Sequence, residues 1–443
     1  MRPQSLQTKP PGGADPLADQ YRAALGEARE RTLSLTEGIS EHDLSRQHDP
    51  LVSPLVWDLG HIAAFEDLWL CQGVGGLDPL RPELAGVYDA AETPRAVRGD
   101  TRHLAHHEAQ DFLREVRVRA IEVLDRTDLH AEGRDLRSGV YAWDMVIQHE
   151  HQHNETMLQT LTLAAPGVYS PSRPKRPSVP AERPQGMVRV EAGPFDMGDP
   201  DERFAYDNER PRHRVDVAAF EIDVTPVTNG DFEAFVADGG YEHDELWSVD
   251  GLRWRFSNAI ERPLYWTSTG GERRFQSTEE RDPAMPVMHV SWFEADAFAR
   301  WRGARLPTEA EWEKAAAHDP AAGESRRLPW GDGEATVERA NLDQLAFGPL
   351  PAGSLPAGAS AYGVLGMIGD CWEWTASPFG GYPGFEPFPY REYSEVFFGQ
   401  VYRVLRGCSW ATRTSLARNT QRNWDLPERR QIFAGLRCAR DAQ

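Results

Sequence analysis

The sequence predicts two domains of different class, an all-helical bundle followed by an irregular α+β domain, and three observations predict it. The first 165 residues carry apolar side chains at three-to-four spacing, as amphipathic helices do. A stretch rich in Pro, Ser and charge then interrupts the pattern from Ala165 to Gln185. Beyond it the texture changes to short β-like runs separated by Gly and Pro turns. A length of 443 residues also exceeds one ordinary core, since domains run to about 100–200 residues.

Residues 1–16 contain Arg2 and Lys9 but no apolar core segment, so a disordered leader is expected rather than a signal peptide. Residues 17–165 are expected to form a four-helix bundle. Its first helix lies near Leu17–Leu35, with Leu17, Tyr21, Leu25, Ala28 and Leu35 on one stripe. The second opens with Ser53 as N-cap and Pro54 in the first turn, and its stripe of Leu55, Leu59, Ile62, Phe65, Leu68 and Leu70 ends at Gly73. The third spans Thr101 to Asp125, with Leu104, Phe112, Val116, Ile121 and Val123 toward the core, and the fourth spans Trp143 to Leu163. The excursion from Gly73 to Gly99 has no period, and long loops in compact bundles often carry function. Residues 166–185 read as an extended linker and 186–443 as the α+β domain, with strands at Met187–Val190 and His213–Val217 and helices at Asn229–Ala237 and Trp292–Trp301.

Composition narrows the function. A formal charge of −21 repels nucleic acid and anionic membranes, so small molecules are the expected partners, with no nucleic acid and no membrane. No run approaches the roughly 20 apolar residues of a membrane-spanning helix. Cys71, Cys371, Cys408 and Cys438 stand singly without CxxC spacing, which argues against a disulfide framework or a structural zinc site and fits a reducing cytoplasm.

The fourth helix carries Gln148-His149-Glu150-His151-Gln152-His153, in which His149 and His153 stand one turn apart and can converge on one metal. His151, two residues from each, points elsewhere, toward solvent or behind the ligands. A third donor must come from a facing helix, and His61, whose neighbours at three- and four-residue spacing are apolar except Asp58, is the candidate. A satisfied core histidine and a charged surface pair would give the same local pattern. His103, His106 and His107 form a rival set with polar neighbours, read as a solvated face. Three imidazoles suit iron, copper or zinc, so donor type alone does not name the metal.

The run Asp49-Pro50-Leu51-Val52-Ser53-Pro54-Leu55-Val56-Trp57-Asp58-Leu59-Gly60-His61-Ile62, with His149 through Met157, resembles the DinB-like half of the bacterial ergothioneine sulfoxide synthases. In the second half, Asn208-Glu209-Arg210-Pro211, Thr225 through Asn229, Arg305 through Glu313, Trp372 through Thr375, Arg403 through Gly407 and Gly435-Leu436-Arg437 resemble the formylglycine-generating-enzyme-like domain, a variant of the C-type lectin fold. The resemblance runs from about residue 17 to the end. It implies Fe(2+) held by His61, His149 and His153, and O2-dependent joining of γ-glutamylcysteine to hercynine (N-α-trimethylhistidine) through a C–S bond, giving the γ-glutamyl-hercynylcysteine sulfoxide. It further implies that Arg95, Arg98 and Arg429 receive the carboxylates of the thiol, suiting the guanidinium fork. Gln152, Asn423 and Trp424 fall in the segments that match the hercynine pocket, Asp425 lies near the reacting groups, and Tyr390 is the proton donor that favours C–S bond formation over thiol dioxygenation, with Tyr393 ranked second. A monomeric cytoplasmic enzyme is expected.

Three rivals remain. A formylglycine-generating oxidase needs a cysteine pair after the Arg-Gly-Gly-Ser motif, and Ala411 through Leu416 contain none. An ovothiol-type relative would use free cysteine and histidine, usually with an appended methyltransferase domain. A lectin-like binding protein would retain no iron. The sequence departs from the family pattern at Cys408, in Arg406-Gly407-Cys408-Ser409-Trp410, where a buried thiol is expected and a positive φ would strain the turn.

Overall fold

The computed structural model describes residues 15–132, 136–137, 139–171, 183–200 and 203–442. Residues 1–14 of the expected leader and 172–182 of the expected linker lie outside the described residues. The chain divides into two compact units, Met1–Ser170 and Pro171–Gln443. Among the described residues no helix is long and apolar enough to cross a membrane.

Four long helices build the N-terminal unit: α1 (Pro16–Ser34), α2 (Leu55–Glu66), α3 (His106–Leu124) and α4 (Tyr141–Leu163). Asp15 caps α1 by accepting the Leu17 N–H at 3.1 Å, and Pro16 occupies the first turn, where its missing N–H costs nothing. Ser53 does not cap α2. Pro54 holds that position, and the Ser53 hydroxyl instead accepts from Arg98 Nη1 at 2.7 Å. Past Glu66 the chain continues as a π-helical segment, Asp67–Val74, and the wider turn breaks the three-to-four register, so Leu68 leaves the apolar stripe and is 48% exposed.

The third helix starts at His106 rather than Thr101. The Leu104 N–H donates to the Tyr88 hydroxyl at 2.9 Å and the Ala105 N–H to Glu108 at 2.8 Å, so Leu104 precedes the helix and fixes its entry instead of joining its stripe. Phe112, Val116 and Val123 are buried as expected, whereas Ile121 is half-buried. The last helix, α4, packs against both α1 and α2, and every residue from Met145 to His151 is buried.

One charged residue from each helix meets the others in the bundle interior. Arg29 of α1 reaches Glu66 of α2 at 2.6 Å and Glu150 of α4 at 2.8 Å; Arg117 of α3 reaches the same carboxylates at 2.6 and 3.4 Å. Thr32 donates to Glu150 at 2.8 Å, and Arg29 Nη1 donates to the Leu113 carbonyl at 2.9 Å. Burial alone would raise the Glu150 carboxyl, but Arg29 and Arg117 hold it below the ordinary carboxylate range.

The C-terminal unit is laced from short strands. β1 (Met187–Val190), β4 (Phe220–Asp223) and β9 (Ala439–Asp441) form one antiparallel sheet in the order β1-β4-β9, and β2 (Gly193–Met197) pairs antiparallel with β3 (His213–Val217). The second sheet runs β7 (Asn423–Asp425), β6 (Arg403–Arg406), β5 (Trp372–Pro378) and β8 (Ala434–Gly435), with β7 at its edge and β8 parallel to β5. Helices α5 (Asn229–Ala237) and α6 (Trp292–Trp301) have the predicted bounds, each opened by a capping box, Thr228 with Asp231 and Ser291 with Glu294. A third, α7 (Glu309–Ala317), is capped in the same way by Thr308 and Glu311.

The motifs that set this half apart are partners in buried ion pairs. Glu309 and Glu313 of α7 receive Arg406 of β6 at 2.8 and 2.6 Å, and Glu309 also receives Arg422 at 2.7 Å. Glu373 of β5 receives Arg437 at 2.6 and 2.8 Å and the Trp312 indole N–H at 2.7 Å. Cys408 is fully buried with φ +65°, so the strained turn anticipated for a side chain at that position is present and the fold accommodates it.

Removing one cation from the bundle quartet leaves two buried carboxylates sharing a single arginine. Arg29→Met is expected to cost about 3–5 kcal/mol, read as a lowered urea midpoint of the helical unit; a loss below about 1 kcal/mol would mean that the quartet does not hold the bundle.

Candidate metal centre

His61 on α2 and His149 and His153 on α4 bring one ligand atom each to within 4.8 Å of one another, and no other such group of three occurs among the described residues. The Nε2 atoms of His61 and His149 are 3.2 Å apart. Two imidazoles bound to one ion through bonds of about 2.1 Å at roughly 90–110° stand about 3.0–3.4 Å apart, so the separation fits a shared metal.

The remaining ring nitrogens are oriented from behind. His61 Nδ1 faces the Tyr88 carbonyl at 2.6 Å, an oxygen that only accepts, so Nδ1 carries the proton and Nε2 presents its lone pair. His153 Nδ1 faces Asp58 at 3.2 Å with the same consequence. Trp57 stacks on His61 at 4.9 Å and Phe65 on His149 at 3.6 Å, which fixes both ring planes. Burial, followed by the charge of His153, holds His61 well below its ordinary pKa; burial and both other rings do the same to His149. Both are therefore neutral at neutral pH, as ligation requires.

Glycine at position 60 is part of this geometry. A Cβ there would sit 2.1 Å from the Tyr88 ring, so only glycine lets the segment that supplies the His61 partner lie against α2.

His151 is no part of the ligand cluster, and of the two placements left open for it, toward solvent or behind the ligands, burial excludes the first. It is 4% exposed, with Nε2 3.6 Å from Glu27 of α1, because α4 is covered on that flank as well. Gln152 is half-buried between the two ligand positions in sequence. His103 and His106 are half-buried and His107 exposed, and none joins the ligand cluster.

The excursion 73–99 holds the two N-terminal arginines. Arg98 is 5% exposed, donates from Nε to the Thr93 carbonyl at 2.9 Å, and lies 3.5 Å above Trp57, the ring that stacks on His61; burial lowers its pKa to about 10. Arg95 is exposed, at the start of the 3-10 turn Arg95–Val97.

In the C-terminal unit, Asn423, Trp424 and Asp425 form the edge strand β7 and are half-buried. Arg429 Nε lies 3.5 Å from Asp425, and its Nε and Nη1 are buried with no hydrogen-bond acceptor among the described residues. Tyr393 meets Trp424 edge-on at 5.9 Å and Tyr390 at 6.2 Å, so Tyr390, Tyr393 and β7 form one aromatic group, backed by Phe379 stacked on Trp424 at 4.2 Å. Sequence reasoning missed Asp58, Tyr88 and Gly60 as supports of the ligands; the apolar run around His61, which left its second nitrogen needing a partner, was the available signal.

Residues 24–157 match the DinB superfamily, and residues 173–442 match the sulfatase-modifying factor enzyme 1-like domain. Fold and site thus define a two-domain protein, a DinB-type bundle with a three-histidine cluster joined to a sulfatase-modifying-factor-type domain. The chain is 46% identical over 442 residues to the hercynine oxygenase of Mycolicibacterium thermoresistibile, covering 97% of this chain and 96% of that protein. It is 47% identical over 428 residues to the hercynine oxygenase of Mycobacterium tuberculosis, covering 96% and 99%. The formylglycine-generating enzyme of Streptomyces coelicolor is 34% identical over 325 residues, covering 64% of this chain and 97% of that protein. The chain belongs to the hercynine oxygenase family, a family of oxidoreductases.

Asp58→Asn is expected to weaken metal binding about 10–100-fold without unfolding the bundle, measured by chelator competition and metal analysis. Unchanged affinity would remove Asp58 from the site.

Proposed function

We propose that the protein is an iron(II)- and O2-dependent sulfoxide synthase of ergothioneine biosynthesis, joining γ-glutamylcysteine to hercynine to give γ-glutamyl-hercynylcysteine sulfoxide. The observation that carries this reading is a cluster of three imidazoles, from His61, His149 and His153, in a chain whose full-length relatives are hercynine oxygenases. His61, His149 and His153 would hold the metal on one side and leave its other positions open to small ligands. Bound iron(II) would supply thiolate formation and oxygen activation within one coordination sphere.

The reaction balances without a further reductant. Thiol, imidazole C–H and O2 become a C–S bond, a sulfoxide oxygen and one water, so the substrates lose four electrons and O2 gains four. The protein's own groups have recognition and proton work to do. Arg429 carries buried N–H groups that a carboxylate would satisfy, which supports its role toward the thiol substrate together with Arg95 and Arg98. Arg98 already gives Nε and one Nη1 hydrogen to Thr93 and Ser53, so the N–H groups left for a carboxylate are the second on Nη1 and the two on Nη2. Asn423, Trp424 and Gln152 are assigned to hercynine, and Asp425 to holding the reacting groups in place. Tyr390 is assigned as the proton donor that steers oxidation toward the C–S bond.

The test is oxygen uptake with product mass on anaerobically iron-loaded protein given hercynine with γ-glutamylcysteine or with cysteine. The adduct is expected with the first thiol and should vanish in His149→Ala; no turnover with either thiol would contradict the proposal. Tyr390→Phe is expected to shift the ratio of sulfoxide adduct to thiol sulfinate by roughly tenfold or more toward sulfinate at unchanged iron content. An unaltered ratio would exclude Tyr390 as the donor.

A further inference from the structure

Three consecutive residues, Asp207, Asn208 and Glu209, form a buried 3-10 turn between β2 and β3 that the chemistry above does not use. Between them they grip two remote segments, 418–422 and 388–394. Glu209 forms a forked pair with Arg418 at 2.7 and 2.5 Å and accepts from Thr420 at 2.7 Å, both on the segment that leads into β7. The Asn208 carbonyl accepts from Arg422 Nη1 at 2.6 Å, one residue before Asn423. Its side-chain amide donates to the Ser394 hydroxyl at 3.0 Å.

Asp207 takes the other side. Its Oδ2 accepts the Phe388 N–H at 3.3 Å and its Oδ1 accepts the Ser394 hydroxyl, so one carboxylate ties both ends of the segment that contains Tyr390. The preceding residue, Tyr206, stacks on Tyr393 at 4.3 Å and 18°, inside that segment. Burial raises the Asp207 carboxyl to about 6, with the amides of Phe388 and Asn208 and the Ser394 hydroxyl opposing and the Glu209 charge adding to the rise. At neutral pH it is therefore the ionised, acceptor-only form that these donors require.

We propose that Asp207 is a positioning residue for the reaction, a latch that holds the Tyr390 segment in register with β7, with Asn208 and Glu209 fixing the latch to the strand. The role rests on the reading of Tyr390 as proton donor. A tyrosine that must deliver a proton along one path needs its backbone anchored on both sides, and 388 and 394 are the two anchor points present.

The experiment compares iron-loaded full-length wild type, Asp207→Asn, Ser394→Ala and Tyr390→Phe by amide hydrogen exchange of peptides spanning 388–394 and by the adduct-to-sulfinate ratio. Exchange in this segment is expected to accelerate roughly tenfold in Asp207→Asn and Ser394→Ala, with peptides from β5 and β6 unchanged. The product ratio should move toward sulfinate as in Tyr390→Phe, with KM for either substrate altered less than about twofold. Asp207→Asn should add nothing when combined with Tyr390→Phe. Unchanged exchange in both latch variants would overturn the proposal whatever the turnover. Faster exchange with a normal product ratio, while Tyr390→Phe alters that ratio, would overturn the positioning role alone. A normal ratio in Tyr390→Phe itself would instead defeat the proton-donor reading, and the latch's role in the reaction with it.

Discussion

Two arginines and two glutamates sealed among four helices constrain everything else in the N-terminal unit. Each cation bridges both carboxylates, so sliding any one helix along its axis would uncover a charge in a medium where an unpaired ion is costly. Glu66 lies five residues after His61, and Glu150 directly follows His149. The pairing that closes the core therefore also sets the relative register of the two ligand helices. The 3.2 Å separation of two imidazole nitrogens follows from that register together with the backing of Tyr88 and Asp58.

The C-terminal unit solves a different problem by the same means. Its strands are short, two to seven residues in the sheets described, and ladder hydrogen bonds alone are too few to fix a surface of loops. Buried arginine–carboxylate pairs take over, with Arg406, Arg418, Arg422 and Arg437 each nearly inaccessible to solvent. Forked pairs are directional, so they orient the loops they join as well as holding them. The residues proposed to act on the substrates can then sit on the edge strand β7 and on the Tyr390 segment, where backbone is otherwise least constrained.

What could be read from the amino-acid order follows from the range of the physics involved. Helix periodicity is local, so α1 and α4 were found within two residues, and the four-residue step from His149 to His153 was enough to place two rings on one face. Capping is local too, yet Ser53 misled because a residue 45 positions away claims its hydroxyl. The spacing rule correctly turned His151 away from the ligands, without saying that α1 covers that side and keeps it from solvent. The apolar run around His61 showed that its second nitrogen needed a partner but not which residue supplies it, and the arginine–carboxylate pairs were invisible for the same reason. Glu209 and Arg418 are 209 residues apart, and no local pattern pairs them.

The central proposal is that His61, His149 and His153 jointly bind one iron ion. X-ray absorption at the iron edge of anaerobically loaded protein tests it most directly, read beside the same spectrum of His61→Ala. The account predicts imidazole scattering from about three nitrogens near 2.1 Å in the wild type and fewer in the variant. A spectrum with no imidazole contribution, or one unchanged by the loss of His61, would contradict it.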